Sequence, residues 1–283
     1  MNSSICILTD SAVQFTQPGF AGREDVRVIS YDIQIRDTLY PEGEGIRSTA
    51  LPPSAGDGLH PRLIAPDPEK LQQLFHGLAS HYREVIAIFT SGELSQMISA
   101  VEKAAAGAKS IIPVTLIDSQ TTSVGLGLLV QLAAECTAQG MSGTEIERRV
   151  RKAVPRVYTL LCTAGLSYLY ESSFVDIAQA TVGEMLGLIP IFSLEEGKLS
   201  SIEKARNLRG VIDFFQEFLS EFDNLQHISM IQGAAPFNHE SHILREHAQD
   251  HFPKTPFSEH TINLPLATLV GPRTMALIIM ETE

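Results

Sequence analysis

Between Thr115 and Glu135 the chain reads TLIDSQTTSVGLGLLVQLAAE. An apolar stretch runs into four hydroxyls, Ser119, Thr121, Thr122 and Ser123, and then passes through Gly125 and Gly127 into an apolar helical run. A strand that ends in Asp-Ser and hands over to a helix sets short polar groups beside unpaired helix N–H groups. In open α/β sheets that edge is where ligands bind. The chemistry recurs: ILTDSA ends a strand-like run in Asp10 and Ser11, and EVIAIFTS ends one in Thr90 and Ser91. Three strand ends therefore present short polar side chains on what is predicted to be one edge.

Other candidates are weaker. The four histidines of HESHILREHAQDH (His239, His242, His247, His251) include i, i+3 and i, i+4 pairs, but without H-E-x-x-H or a supporting Cys they read as an amphipathic surface helix with Ile243 and Leu244 inward. Lys204 and Arg206 follow a turn at Gly197 and fit either a phosphate clamp or a solvated face. There is no G-x-x-x-x-G-K-[ST], VGLGLLV lacks the third glycine of a dinucleotide fingerprint, and no G-x-S-x-G elbow is present. Catalysis has no advocate here, and no metal or cofactor is expected.

Helical patterns at Pro68–His81 and Ser95–Ala108 lie between the runs Val26–Ile35, Glu84–Ser91 and Ile112–Ser119. Strands alternating with helices of this length predict a parallel sheet flanked by helices. The stretch from Tyr40 to Pro68, rich in Pro and in Gly43, Gly45, Gly56 and Gly58, reads as a lid, a binding loop or a mobile excursion. Ser142 with Glu145 forms a capping box that opens a helix ending at Pro155, so the division is placed at 1–154 and 155–283. In the second half we expect a helix near Ala164–Tyr170, an apolar run EMLGLIPIFSL, a turn at EEGKL, a helix across Glu203–Phe222, a strand HISMIQGAA, the His-rich helix and a closing strand TMALIIME. The fold class is α/β, with two α/β domains.

With 283 residues, 44% of them hydrophobic, the chain can fill the cores of two domains. The excess of 33 Asp+Glu over 21 Lys+Arg, formally −12, argues against nucleic acid or an anionic membrane as partner. MNSSICILTDS carries no basic region followed by a long apolar core, and the apolar stretches are interrupted, so a cytoplasmic protein is expected. Cys6, Cys136 and Cys162 are far apart and read as reduced core residues.

Taken in order, ILTDSA, TSGELSQMISA, LIDSQTTSVGLGLLV, LSYLYESS, LGLIPIFSLEEGKLSSIEKAR and LVGPRTMALI span most of the chain. Together they resemble the DegV family of fatty-acid-binding proteins. The resemblance implies two α/β domains that enclose one long acyl chain and present its carboxylate to a partner kinase, with no complete active site in the binding subunit. The family's D-S-x-x-x-S-x-G-x-G pattern is kept as Asp118, Ser119, Ser123, Gly125 and Gly127, expected on the floor where the domains meet; Asp10, Ser11, Ser91 and Ser95 also match. Departures fall at the expected headgroup site. Leu63 and Ile64 replace a Thr and a Ser, Leu269 replaces a His, and Arg273 stands where a Gly is expected. Gln96 and Met97 follow Ser95 in place of Gly and Thr, Ser172–Val175 replaces a glycine-rich segment, and Ile189 replaces a Lys.

Either Arg273 pairs with the carboxylate bidentately, or the ligand carries a less acidic head such as an ester, alcohol or amide. The expected function is a non-catalytic carrier of a long-chain fatty acid or related lipid, with Ser91, Ser95, Ser119, Ser123 and Arg273 binding the ligand. The alternatives are a small-molecule hydrolase or transferase working in the same cleft through Asp10 or Asp118 with a bound metal, and a member whose remaining role is protein interaction.

Overall fold

The computed structural model describes residues 5–43, 46–56, 59, 61–108, 111–233 and 237–283. Gly45 and Gly58 of the Pro/Gly-rich stretch, Ser4 of the first run and the Ala-Ala end of HISMIQGAA lie outside the described residues. In chain order the elements are β1 (Ile5–Asp10), β2 (Val26–Ile29), β3 (Asp32–Ile35), β4 (Thr38–Pro41), β5 (Arg62–Ile64), α1 (Pro68–Ala79), β6 (Glu84–Phe89), α2 (Met97–Ala108), β7 (Val114–Asp118), α3 (Ser123–Ala138) and α4 (Gly143–Ala153). They continue with β8 (Val157–Thr163), α5 (Ser167–Glu171), α6 (Ile177–Leu186), β9 (Ile189–Glu195), β10 (Lys198–Ala205), α7 (Leu208–Leu219), β11 (Leu225–Gln232), α8 (Asn238–His251), β12 (Phe257–Thr261), α9 (Leu264–Val270) and β13 (Thr274–Glu281). Two compact units result: residues 1–32 with 64–155, and residues 33–63 with 156–283. The sequence division at 154/155 differs from these units over residues 33–63.

The first unit is built on the parallel sheet β2-β1-β6-β7. All six residues of β1 are buried, as expected of a parallel strand covered on both faces. On α1, Leu71, Phe75 and Leu78 recur at helical spacing and are buried. Helix α3 is apolar on all sides and is buried along most of its length against β1 and β6. Helix α4 starts as its capping box predicts, with the Glu145 carboxylate accepting both the Ser142 N–H at 2.9 Å and its hydroxyl at 2.7 Å.

In the second unit the six-stranded sheet runs β10-β9-β8-β13-β11-β12, antiparallel except for β11–β12. Val211, Phe215 and Leu219 of α7 and Leu244 and Ala248 of α8 share one core with Leu160, Cys162, Met275, Leu277 and Ile279. A smaller sheet, β4-β3-β5, belongs to the 33–63 excursion. That excursion is tied down at its far end: the Tyr168 hydroxyl donates to Pro52 O at 2.8 Å, Ser167 Oγ accepts the Ala55 N–H at 2.9 Å, and Tyr168 packs on Ala55 and Leu59.

Three sequence expectations change. The run Val26–Ile35 is two strands in two sheets, broken at Ser30–Tyr31. The expected helix across Glu203–Phe222 begins only at Leu208. Lys198–Ala205 is instead a strand, turned back on β9 through Glu196 and Gly197, both at positive φ. Within and before the apolar run EMLGLIPIFSL lies helix α6, which ends at Gly187 with φ 61° before β9 begins. Among the described residues no helix is long and apolar enough to cross a membrane.

Candidate functional site

One small motif repeats at the strand ends of the first unit. A side-chain oxygen accepts the backbone N–H two residues on: Asp10 from Ala12 (2.9 Å), Ser91 from Glu93 (3.2 Å), Ser95 from Met97 (3.3 Å), Asp118 from Gln120 (2.8 Å) and Ser119 from Thr121 (3.3 Å). Short Ser and Asp side chains favour this local bond, and it turns the chain sharply at the end of a strand. The turns also hold one another, since Ser91 N–H donates to Thr121 O, Ser119 N–H to Phe89 O, and Gly92 N–H to Asp118 Oδ2. Ser123, at φ 53°, donates its hydroxyl to Gln14 Oε1 at 2.6 Å.

The structure thus gathers Ser91, Ser95, Ser119 and Ser123 at one edge of one unit. Ser91, Ser119 and Ser123 are fully buried, whereas Ser95 is half-buried. Thr9 Oγ1 and Thr122 Oγ1 are buried there without a hydrogen-bond partner among the described residues. Replacing Ser119 or Ser123 with Ala is expected to lower unfolding stability by about 1–2 kcal/mol through the lost buried bonds. Urea unfolding checks this, and an unchanged midpoint would contradict it.

Asp10 is fully buried beneath this edge. Its Oδ1 accepts from Ala12 N–H and from the Thr90 hydroxyl (3.0 Å), and its Oδ2 accepts from Thr90 N–H (2.8 Å). With both oxygens occupied it is a structural anchor, which removes it from the role of metal ligand weighed in the enzyme alternative. Desolvation pushes its carboxyl up to about 6, against the downward pull of hydrogen bonds from Thr90, Ala12 and Tyr31. A raised folded value means that the linked stability is present below the ordinary value of 3.8 and is lost as pH rises through about 6. Asp10 and Ser11 also grip Tyr31 at both ends: Ser11 Oγ accepts the Tyr31 N–H at 3.1 Å, and the Tyr31 hydroxyl bonds to Asp10 and lies 2.8 Å from Ser95 Oγ.

The second unit holds a cavity of about 530 Å³, within the roughly 300–1,000 Å³ usual for small-molecule sites. Helix α6 supplies one wall through Ala178, Val182, Gly183 and Leu186, and Pro190 and Phe192 of β9 line it as well. Leu166, Val175 and Leu188 complete the apolar lining, and Gln179, Ser201 and Lys204 are its polar members. Three of these residues, Leu166, Gly183 and Leu188, also line a second recess of about 460 Å³, which contains Arg273, Ser54 and Ser167. An apolar cavity and a polar recess are thus contiguous, the arrangement an amphiphile needs. Arg273 is exposed, on the link between α9 and β13.

At the other departures, Leu269 is buried and its carbonyl accepts from the Ser172 hydroxyl at 2.9 Å, Leu63 and Ile64 are half-buried on β5, and Ile189 lines the recess. On α8, His242 pairs with Glu246 at 3.3 Å and His247 stacks on His251 at 4.1 Å. Among the described residues no group of three or more His, Cys, Asp or Glu is placed to hold a metal ion. Cys6 and Cys162 are buried, and desolvation pushes each thiol up to about 12, far from thiolate chemistry at neutral pH.

Sequence reasoning missed the cavity wall. Helix α6 carries no polar stripe to mark a buried face, and it exposes Ile177, Val182, Met185 and Leu186. The small residues Ala178 and Gly183 at i, i+5 were the available signal. Tyr31 was missed because it interrupts what reads as one strand.

The family model described as "Uncharacterised protein, DegV family" matches residues 4–282. A DegV domain-containing protein of Caldanaerobacter subterraneus subsp. tengcongensis is 26% identical over 219 residues, covering 75% of this chain and 76% of its own. Two solved structures share the fold. A fatty acid binding DegV family protein from Streptococcus agalactiae superposes with a TM-score of 0.85 at 20% identity, covering 99% of each chain. The Streptococcus pneumoniae Fatty Acid Kinase (Fak) B3 protein loaded with linoleic acid gives 0.81 at 17% identity, covering 99% of this chain and 100% of its own. Since the family model covers nearly the whole sequence, this chain belongs to the DegV family.

Proposed function

We propose that this protein binds and sequesters one long-chain fatty acid or closely related lipid, with the acyl tail in the cavity beneath α6 and no chemistry performed on it by this chain. The observation that carries the reading is the apolar cavity sharing Leu166, Gly183 and Leu188 with a polar recess that contains Arg273. Burying about fifteen methylenes at roughly 0.8 kcal/mol each supplies on the order of 12 kcal/mol before the cost of association. The tail therefore dominates affinity, and the head decides identity.

For the head we propose one polar contact, the Arg273 guanidinium in the recess, which can fork onto a carboxylate. Similarity to the Streptococcus pneumoniae protein, named for a fatty acid kinase, extends the proposal to presenting the head to a partner kinase. The exposure of Arg273 suits a head that stays reachable.

Titration with oleate and with its methyl ester tests the reading. Saturable binding of one oleate is expected, and its absence would overturn the proposal. Because Arg273 is exposed, its ion pair is worth up to about 1 kcal/mol, so Arg273→Ala is expected to weaken oleate about fivefold. The ester is expected to be indifferent to the substitution. Equal loss for both ligands would show that Arg273 acts on the cavity rather than on the charge.

A further inference from the structure

The cavity under α6 is apolar except at Gln179, Ser201 and Lys204, all within the second unit, and none of the three lines the recess that contains Arg273. An irregularity in β10 brings two of them there. In a regular strand, residues three apart point to opposite faces. Ser201 pairs with Phe192 and Lys204 with Pro190, and both of those partners line the cavity. The register shifts between Ser201 and Glu203, so one extra residue lies between the two pairs and turns Lys204 to the face that Ser201 occupies. Bulges re-aim side chains in this way.

The three groups offer hydrogens more than acceptors. The Lys204 ammonium has three donors and no acceptor. Gln179 closes a capping box at the start of α6: its N–H donates to Asp176 Oδ1 at 2.7 Å, and its Oε1 accepts the Asp176 N–H at 3.0 Å. That pair of bonds orients the amide and leaves its Nε2 hydrogens unspent. Among the described residues, Lys204 Nζ, Gln179 Nε2 and Ser201 Oγ have no hydrogen-bond or ion-pair partner, and the Glu203 carboxylate accepts the backbone N–H of Lys204 at 2.7 Å. All three side chains are exposed. A plain hydrocarbon end lying over them would take them from water and give no acceptor in return, which is unfavourable.

Position separates this group from Arg273. Lys204 lies near the end of β10 and Arg273 just before the start of β13, at the same end of the sheet, because β10, β9, β8 and β13 alternate in direction. Three inter-strand steps lie between β10 and β13, about 14 Å. The apolar space therefore has a cation on either side. We infer that Lys204, Ser201 and Gln179 form a second polar subsite, and that the ligand is a long-chain acid with an acceptor oxygen at the end remote from its head, a long-chain dicarboxylate above all. The inference rests on the lipid-carrier reading and narrows its ligand class. One carboxylate meets Arg273; the other meets Lys204, with the Gln179 amide and the Ser201 hydroxyl donating beside it. No covalent bond changes.

The test is titration with hexadecanedioate and with palmitate, each below its aggregation limit, read as the ratio of the two affinities. The intact protein is expected to bind the diacid more tightly by about threefold or more. Lys204→Met keeps an unbranched stem and removes the charge. Since Lys204 is exposed, the ratio is expected to fall about fivefold and so to favour palmitate. Gln179→Glu keeps the oxygen that caps α6, replaces the donor with a negative charge, and is expected to move the ratio the same way. An intact protein that prefers palmitate, or a Lys204→Met ratio equal to that of the parent, overturns the second subsite while the carrier reading stands. Failure of the intact protein to bind either ligand overturns the carrier reading, and the subsite with it.

Discussion

Replacing Gly183 with Trp is expected to weaken acyl binding by at least about a hundredfold while leaving the protein folded. Gly183 lines both the apolar cavity and the polar recess, so a side chain there fills the space that joins them. A Cβ at this position already meets the tip of Leu166, with Cδ1 at 2.6 Å. That tip is the far end of a flexible side chain and can turn aside; the indole beyond it then occupies volume the tail needs. Excluding about four methylenes at roughly 0.8 kcal/mol each removes about 3 kcal/mol, which is a factor of more than a hundred in Kd. The helix itself loses nothing, since Gly is among the poorest helix formers and Trp is better. Oleate titration beside a thermal melt checks both halves of the expectation. Unchanged affinity in a folded variant would mean that the tail lies elsewhere.

Gly127→Ala is expected to do the opposite, costing about 3 kcal/mol of stability through overpacking. A Cβ on Gly127 would stand 2.0 Å from the Gln14 carbonyl oxygen and 2.8 Å from its carbon. Backbone cannot swing aside as the tip of Leu166 can. Either α3 withdraws from the turn after β1 or the turn opens, and the Ser123–Gln14 bond one helical turn away goes with it. Urea unfolding is the measurement. A midpoint equal to that of the parent would show that the close approach of Gln14 and α3 does not bear on stability.

These two glycines show what was legible in the sequence and what was not. Gly127 sits in the D-S-x-x-x-S-x-G-x-G pattern, which marks the position in the sequence, and the structure supplies the contact with Gln14 that requires a glycine there. Gly183 sits in no motif, because a cavity wall needs only smallness and an apolar neighbour. The strand ends were legible for a related reason. Asp10, Ser91, Asp118 and Ser119 terminate their strands with side-chain bonds to the backbone two residues on, and that local preference is written in residue type and position. The same preference hides function, since a hydroxyl that closes a turn and one that holds a ligand look alike in sequence. Strand β10 misled because Lys198–Ala205 lies at a sheet edge with mostly exposed side chains, so no buried alternation marks it as a strand. The attachment of residues 33–63 to the second unit depends on contacts such as Tyr168 to Pro52, more than a hundred positions apart, which no local pattern encodes.

Native mass spectrometry of the purified protein, followed by solvent extraction of whatever is released, tests the central claim most directly. The expected result is a protein carrying one acyl ligand, released as a long-chain fatty acid or a close relative. A protein that arrives empty and stays empty after incubation with palmitate, oleate and their esters would contradict it.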